Sequence, residues 1–193
     1  GLKRKLQNLE AHFPEQFGVY VKNLGTGEEF SWRAEETWYI ASGVKLPIAL
    51  ETLRQIDRGE LSLDSKIILN EADYVDGAGS TNNYKPGKRL SVRYLLQQMM
   101  IYSDNTASDL LIKAVGLENI QKLLGELQLK GFTKLTTLAD VRRHAYSYLH
   151  PEARMLQGKD FLFIKQGANE NDKIQRLQKT LKSSKLLKSP SWD

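Results

Sequence analysis

Ala41-Ser42-Gly43-Val44-Lys45-Leu46-Pro47 places a hydroxyl and an amine three residues apart, just ahead of an apolar-periodic run. Leu46, Ala49, Leu50, Leu53 and Ile56 follow the i, i+3, i+4, i+7 pattern of a helix, and Gly59 ends it. Pro47 falls in the first turn, where a missing N–H costs little. Residues three apart share a helix face, so the Lys45 amine can approach the Ser42 hydroxyl if the helix begins near Ser42. Two readings follow. In the first, Ser42 caps a core helix and Lys45 is solvated. In the second, Lys45 is a base whose pKa is lowered by desolvation or nearby cations, and Ser42 is a nucleophile. A helix N-terminus would help the second, because its free N–H groups and positive dipole end favour an anion forming there. The four-residue Ser-x-x-Lys pattern alone does not decide between them.

Composition frames the choice. The chain has 193 residues, 40% hydrophobic and 26% charged, with a net charge of +5 and no cysteine. That suits a globular chain with one real core. Without cysteine there is no disulfide frame, thiol nucleophile or cysteine-bound zinc. No apolar run is long enough to span a membrane. The opening Leu2-Lys3-Arg4-Lys5-Leu6 reads as the start of an amphipathic helix rather than a signal peptide. Near the C-terminus Lys173, Arg176, Lys179, Lys182, Lys185 and Lys188 recur every three residues. This charge reads as a solvated helix face, with an anionic partner as the alternative, since no nucleic-acid motif accompanies it.

Outward from the Ser42 stretch, residues 3 to 13 predict a helix with Leu6, Leu9 and Phe13 on one side. Phe17 to Leu24 and Glu29 to Arg33 alternate like half-buried strands, joined by a Gly25-Thr26-Gly27 turn. A lone two-stranded hairpin is marginal, so these strands are expected to need further sheet. From Glu60 to Leu90 periodicity is weak. Asp76-Gly77-Ala78-Gly79-Ser80 and Lys85-Pro86-Gly87-Lys88 mark turns of a surface rim and do not match a phosphate loop. Ser91 predicts the cap of a helix carrying Val92, Leu95, Leu96 and Met99. A second helix from about Thr106 turns Ala107, Leu110, Leu111 and Ala114 inward and stops at Gly116. A third spans Glu118 to Leu127. Further helices are expected over Leu138 to Tyr148 and Asp172 to Lys182. Between the first two of these helices sits Ser103-Asp104-Asn105.

With Ser42-Gly43-Val44-Lys45 followed 61 positions after Ser42 by Ser103-Asp104-Asn105, the chain resembles the penicillin-recognising serine enzymes, class A β-lactamases above all. The likeness extends to Gly18-Val19-Tyr20-Val21-Lys22, Gly25-Thr26-Gly27-Glu28, Lys45-Leu46-Pro47, Asp57-Arg58-Gly59-Glu60-Leu61 and Ser103-Asp104-Asn105-Thr106-Ala107, and covers residues 15 to 127 well. It implies a mostly helical α+β chain. Residues 1–35 would supply the N-terminal helix and hairpin of an antiparallel sheet lobe, and 36–193 the helical lobe. It also implies that Ser42 is the acylated nucleophile and Lys45 its base, directly or through a relay. Ser103 would pass a proton to the departing lactam nitrogen, and Asn105 would bind the substrate's side-chain amide and Lys45. The Ser42 backbone N–H would be one oxyanion donor. No metal or cofactor is implied. The substrate would be a β-lactam or a peptidoglycan peptide, met in the periplasm or outside the cell, with no nucleic-acid partner.

Two departures from the family shape the expectations. The Lys-Thr-Gly motif on a later strand is absent from the 193 residues, so the chain is expected to be a portion of a longer or split protein, completed by a C-terminal segment. The Glu-x-x-Leu-Asn motif that activates the deacylating water is also missing. Beyond Glu126 the glutamates are Glu152 and Glu170, and Asp140 lies near the expected distance in a different motif. Slow deacylation is therefore expected. The other functional readings are a D,D-peptidase, a serine-dependent glutaminase, and a non-catalytic domain of this fold that binds a partner. His12, His144 and His150 read as ordinary histidines. Trp38 and Tyr39 lie close enough to Ser42 in sequence to pack beneath it.

Overall fold

The computed structural model describes residues 1–14, 16–128 and 134–182, and the chain divides into two compact units, Gly1–Ala41 and the part from Ser42 onward. In the first, helix α1 (Leu2–His12) precedes strands β1 (Val19–Lys22) and β2 (Glu29–Trp32). The strands pair antiparallel with Val19 opposite Trp32 and Lys22 opposite Glu29. Asn23 fixes the turn: its side-chain oxygen accepts from the N–H groups of Gly25 (2.9 Å) and Thr26 (3.2 Å), an arrangement that replaces ladder bonds at a hairpin end. Glu10 ties helix to hairpin by accepting from Arg33 (2.5 Å) and from the Trp32 indole (3.4 Å). Of the expected α1 stripe only Leu6 is buried, while Leu9 and Phe13 remain exposed. Among the described residues no third strand joins β1 and β2.

The second unit is built on helices. α2 (Lys45–Asp57) follows a single 3-10 turn over Ala41–Val44. Two three-residue strands, β3 (Lys66–Ile68) and β4 (Arg89–Ser91), pair antiparallel. Then come α3 (Val92–Tyr102), α4 (Asn105–Val115), α5 (Leu117–Glu126), α6 (Leu138–Ser147), α7 (Gly158–Lys165) and α8 (Glu170–Thr180). Ser91 caps α3 as expected, its hydroxyl accepting from the Tyr94 N–H. α4 lies at the centre, packed against α2, α3, α5 and α6. Its Ala107, Leu110 and Leu111 are fully buried beside Leu95 and Met99 of α3, whereas Ala114 faces outward, contrary to the sequence pattern. Truncation at the centre leaves a cavity that rigid neighbours cannot close. Leu110→Ala should therefore destabilise the protein by about 2–5 kcal/mol in denaturant titration. A loss under about 1 kcal/mol would mean that α4 is not the core.

Hydropathy does not set the face that α2 buries. Leu46, Leu50 and Leu53 are 56%, 42% and 47% exposed, and the buried side carries Lys45, Ile48, Ala49, Glu51, Thr52 and Gln55. Most of the polar members find hydrogen-bond partners inside, and Glu51 adds an ion pair. Thr52 donates to Ile48 O (2.7 Å), Gln55 donates to Val115 O (2.8 Å) and to Glu51 (2.8 Å), and the other Glu51 oxygen lies 2.8 Å from Arg54 Nε. Burying such groups is tolerable only with partners of this kind. The basic face of α8 stays at the surface, as expected, with local contacts: Lys173 pairs with Glu170, Arg176 with Asp172, and Arg176 and Lys179 lie over the Phe163 ring. Lys185 and Lys188 lie outside the described residues.

Candidate active site

Ser42 sits in the 3-10 turn that runs into α2, where N–H groups have no preceding carbonyl to bond. Ala41 enters that turn at φ +47°, a strained conformation for a residue with a side chain. Lys45, one turn on, is only 4% exposed. Its ammonium donates to Ser103 Oγ (2.8 Å), Ser103 O (2.7 Å) and Asn105 Oδ1 (2.8 Å), and reaches Ser42 Oγ at 3.4 Å. The two serine hydroxyls are 2.8 Å apart. The structure thus brings together all four residues singled out from sequence: Ser42, Lys45, Ser103 and Asn105. Burial pulls the Lys45 pKa below that of an ordinary lysine; Asp104 opposes this, Arg142 reinforces it, and Asp109 opposes it.

The loop holding Ser103 and Asn105 is fastened from behind. Ser103 takes a left-handed conformation (φ +58°) where α3 ends, which turns the chain sharply into α4. Asp104, fully buried, caps α4 by accepting from the Ala107 N–H (2.9 Å), while its second oxygen accepts from the Thr81 N–H (2.9 Å). Gly79 passes so close that a Cβ there would come within 2.4 Å of the Asp104 Cβ, and its φ of +88° also favours glycine. Thr106 Oγ1 accepts from the Val75 N–H (2.8 Å), and Asn105 Nδ2 donates to Asp76 O (2.7 Å). The turn-rich stretch from Asp76 to Ser80 is therefore the back support of the Ser103 loop as well as a surface rim.

Sequence reasoning missed Asp109. From α4 its two oxygens accept from the N–H groups of Leu138 (2.7 Å) and Ala139 (2.9 Å), pinning the start of α6 to the central helix. Burial raises its pKa from the ordinary 3.8 to about 6; the two N–H donors pull the other way but lose. A carboxyl whose folded pKa is raised contributes stability below its unfolded pKa that is lost as pH rises through the folded value. The stability of the wild type relative to Asp109→Asn should accordingly fall between pH 4 and 6, by at most about 3 kcal/mol. Urea unfolding across that range checks it, and a pH-independent difference would contradict it.

The carboxylates considered as water activators lie elsewhere. Asp140 accepts from Thr137 (2.9 Å) and Arg143 (2.6 Å) at the start of α6, and Glu152 is exposed. Among the described residues no carboxylate hydrogen-bonds Ser42 or Lys45. His144 contacts Tyr148 (3.2 Å), His150 Nδ1 accepts from the Glu152 N–H (3.3 Å), and His12 bonds Asn8 O (2.8 Å). Tyr39 is exposed, and the Trp38 indole donates to Arg33 O (2.9 Å).

Comparison with known proteins bears on the family and the fold. A model of the beta-lactamase enzyme family matches residues 1–162. The chain is 32% identical to beta-lactamase ROB-1 of Haemophilus influenzae over 126 residues, 65% of this chain and 40% of that protein. It is 32% identical to beta-lactamase L2 of Stenotrophomonas maltophilia over 108 residues, 56% of this chain and 35% of that one. It therefore spans well under half the length of these relatives. Among solved structures, a beta-lactamase from Sphaerobacter thermophilus superposes with a TM-score of 0.61 at 30% identity, over 66% of this chain and 48% of that one. A PBP-A variant, solved as an acyl-enzyme complex with penicillin G, superposes with a TM-score of 0.64 over 92% of this chain and 67% of that one. At 22% identity that last likeness is one of fold.

Proposed function

The chain belongs to the beta-lactamase enzyme family, and from that premise we propose that Ser42 forms an acyl-enzyme with β-lactams or related D-alanyl peptides. The observation that carries the reading is the buried Lys45 ammonium, held at 2.8 Å from the Ser103 hydroxyl, which is itself 2.8 Å from Ser42 Oγ. Those two short contacts favour a relay over the 3.4 Å direct contact. In its neutral form, which desolvation makes accessible, Lys45 takes a proton from Ser103 as Ser103 takes one from Ser42. Ser42 Oγ then bonds to the carbonyl carbon, and the Ser42 N–H, free at the head of the helix, donates to the oxygen that gains charge. As the C–N bond breaks, the proton returns from Lys45 through Ser103 to the departing nitrogen. Asn105 holds Lys45 through its carbonyl oxygen.

Support for the acyl-enzyme also comes from the PBP-A variant of the same fold, which has been captured with penicillin G as an acyl-enzyme. The proposal carries a place of action outside the cytoplasm, periplasmic or secreted, where peptidoglycan peptides and β-lactams are met. The test is labelling of the natural full-length protein with a fluorescent penicillin. A covalent band that Ser42→Ala abolishes is expected. A folded protein that takes no label would make this a non-catalytic member of the family.

A further inference from the structure

Behind the wall that carries Asp76 and Gly77 lies a partly open cavity of about 270 Å³, lined by α6, α7 and α8 and unused by the chemistry above. Its floor is apolar, from Leu149 and Leu177, and its sides are charged. Two cation–carboxylate pairs line it: Arg142 Nε lies 2.8 Å from Asp76, and Lys173 lies 3.0 Å from Glu170. A third cation, Lys165, donates to Gly77 O and has no carboxylate of its own among the described residues.

What remains after this pairing is a set of donors. Arg142 Nε lies closest to Asp76, and among the described residues its terminal nitrogens, on a side chain that is 40% exposed, make no hydrogen bond to the protein. The Tyr146 hydroxyl also has none, although its ring stacks on Phe161. Burial pushes the Tyr146 pKa up to about 12, so the group is a lasting O–H donor. Three cations against two carboxylates leave one net positive charge, which matches a monoanion. The two fixed carboxylates would repel a dianion. A planar guanidinium with its two ends free fits a carboxylate in fork geometry. The apolar floor leaves room for a short alkyl or aryl stem.

The wall between this cavity and the Ser42 site is thin. Asp76 O accepts from Asn105 Nδ2 (2.7 Å), and a Cβ on Gly77 would come within 2.8 Å of that same nitrogen. We propose that the cavity is a carboxylate site, filled either by an acid-bearing acyl arm of the substrate bound at Ser42 or by a free small carboxylate. The first source rests on the acyl-enzyme reading; the second does not.

Two arms on the natural full-length protein separate them. In the first, phenylmalonic acid monoamide is titrated while the side-chain N–H signal of Arg142 is followed by NMR, with neutral phenylacetamide as control. A saturable shift is expected from the acid alone, and Tyr146→Phe and Lys173→Gln should each weaken it severalfold. In the second, acylation rates are compared for carbenicillin and benzylpenicillin, which differ by one acyl-arm carboxylate. Arg142→Gln or Lys173→Gln should lower the carbenicillin-to-benzylpenicillin ratio by about tenfold or more. A change of ratio in the variants identifies the acyl arm as occupant, with or without probe binding. Probe binding with an unchanged ratio identifies a free carboxylate. If neither penicillin acylates Ser42, the acyl-enzyme reading fails and the probe arm alone decides. No acid-specific shift together with an unchanged ratio, or with no acylation, overturns the proposal.

Discussion

Lys45→Ala should slow acylation of Ser42 by about 100- to 10,000-fold, the range for losing a positioned proton acceptor. The side chain is the hub of the site: removing it leaves the Ser103 hydroxyl oxygen and Asn105 Oδ1 without their shared donor. Lys45→Arg should not rescue, because a guanidinium remains charged and cannot take the proton that Ser103 must pass on. The pH profile supplies a second readout. Burial lowers the Lys45 pKa, so the neutral fraction, and with it the acylation rate, should rise with pH and level off below the ordinary lysine value of 10.5. Stopped-flow labelling of the wild type and both variants checks all three statements. Unchanged rates in Lys45→Ala would remove Lys45 from the proton path.

Turnover should be slower than acylation by a similar factor, about 100- to 10,000-fold, because hydrolysis of the acyl-enzyme needs a base aimed at water. Among the described residues no carboxylate hydrogen-bonds Ser42 or Lys45, and Asp76 is paired with Arg142. Asp140 is held by Thr137 and Arg143, Glu152 is exposed, Glu170 faces the cavity behind the Asp76 wall, and Asp109 is bound to two backbone N–H groups. With a chromogenic β-lactam the natural protein should show a burst of one equivalent, then a slow steady state. Fast multiple turnover without a burst would mean that a base reaches the acyl carbonyl after all, and Asp109→Asn would be the variant to compare first.

Much of the site was legible because its residues lie at places that local rules mark. Ser42 and Lys45 flank a helix start, Ser91 is a cap, and Ser103-Asp104-Asn105 interrupts two apolar-periodic helices. The inward face of α2 was not legible. Hydropathy assigns Leu46, Leu50 and Leu53 to the core, yet Thr52, Gln55 and Glu51 occupy it, because each finds a hydrogen-bond partner that no linear pattern displays. β3 and β4 escaped because three-residue strands are too short to show alternation, and their pairing is long-range. Asp109 and the Asp76–Arg142 pair were hidden for the same reason. Each acts on a segment distant in sequence, and a carboxylate within a helix has no local signature of what it will hold.

The claim on which the rest depends is that Ser42 itself becomes acylated. Intact-mass measurement of the natural full-length protein after brief mixing with excess penicillin G, followed by peptide mapping, tests it most directly. The predicted result is an increase of one drug mass that persists over many minutes, maps to the peptide carrying Ser42, and is absent from Ser42→Ala. A folded protein that gains no mass, or an adduct mapped to any other residue, would contradict it.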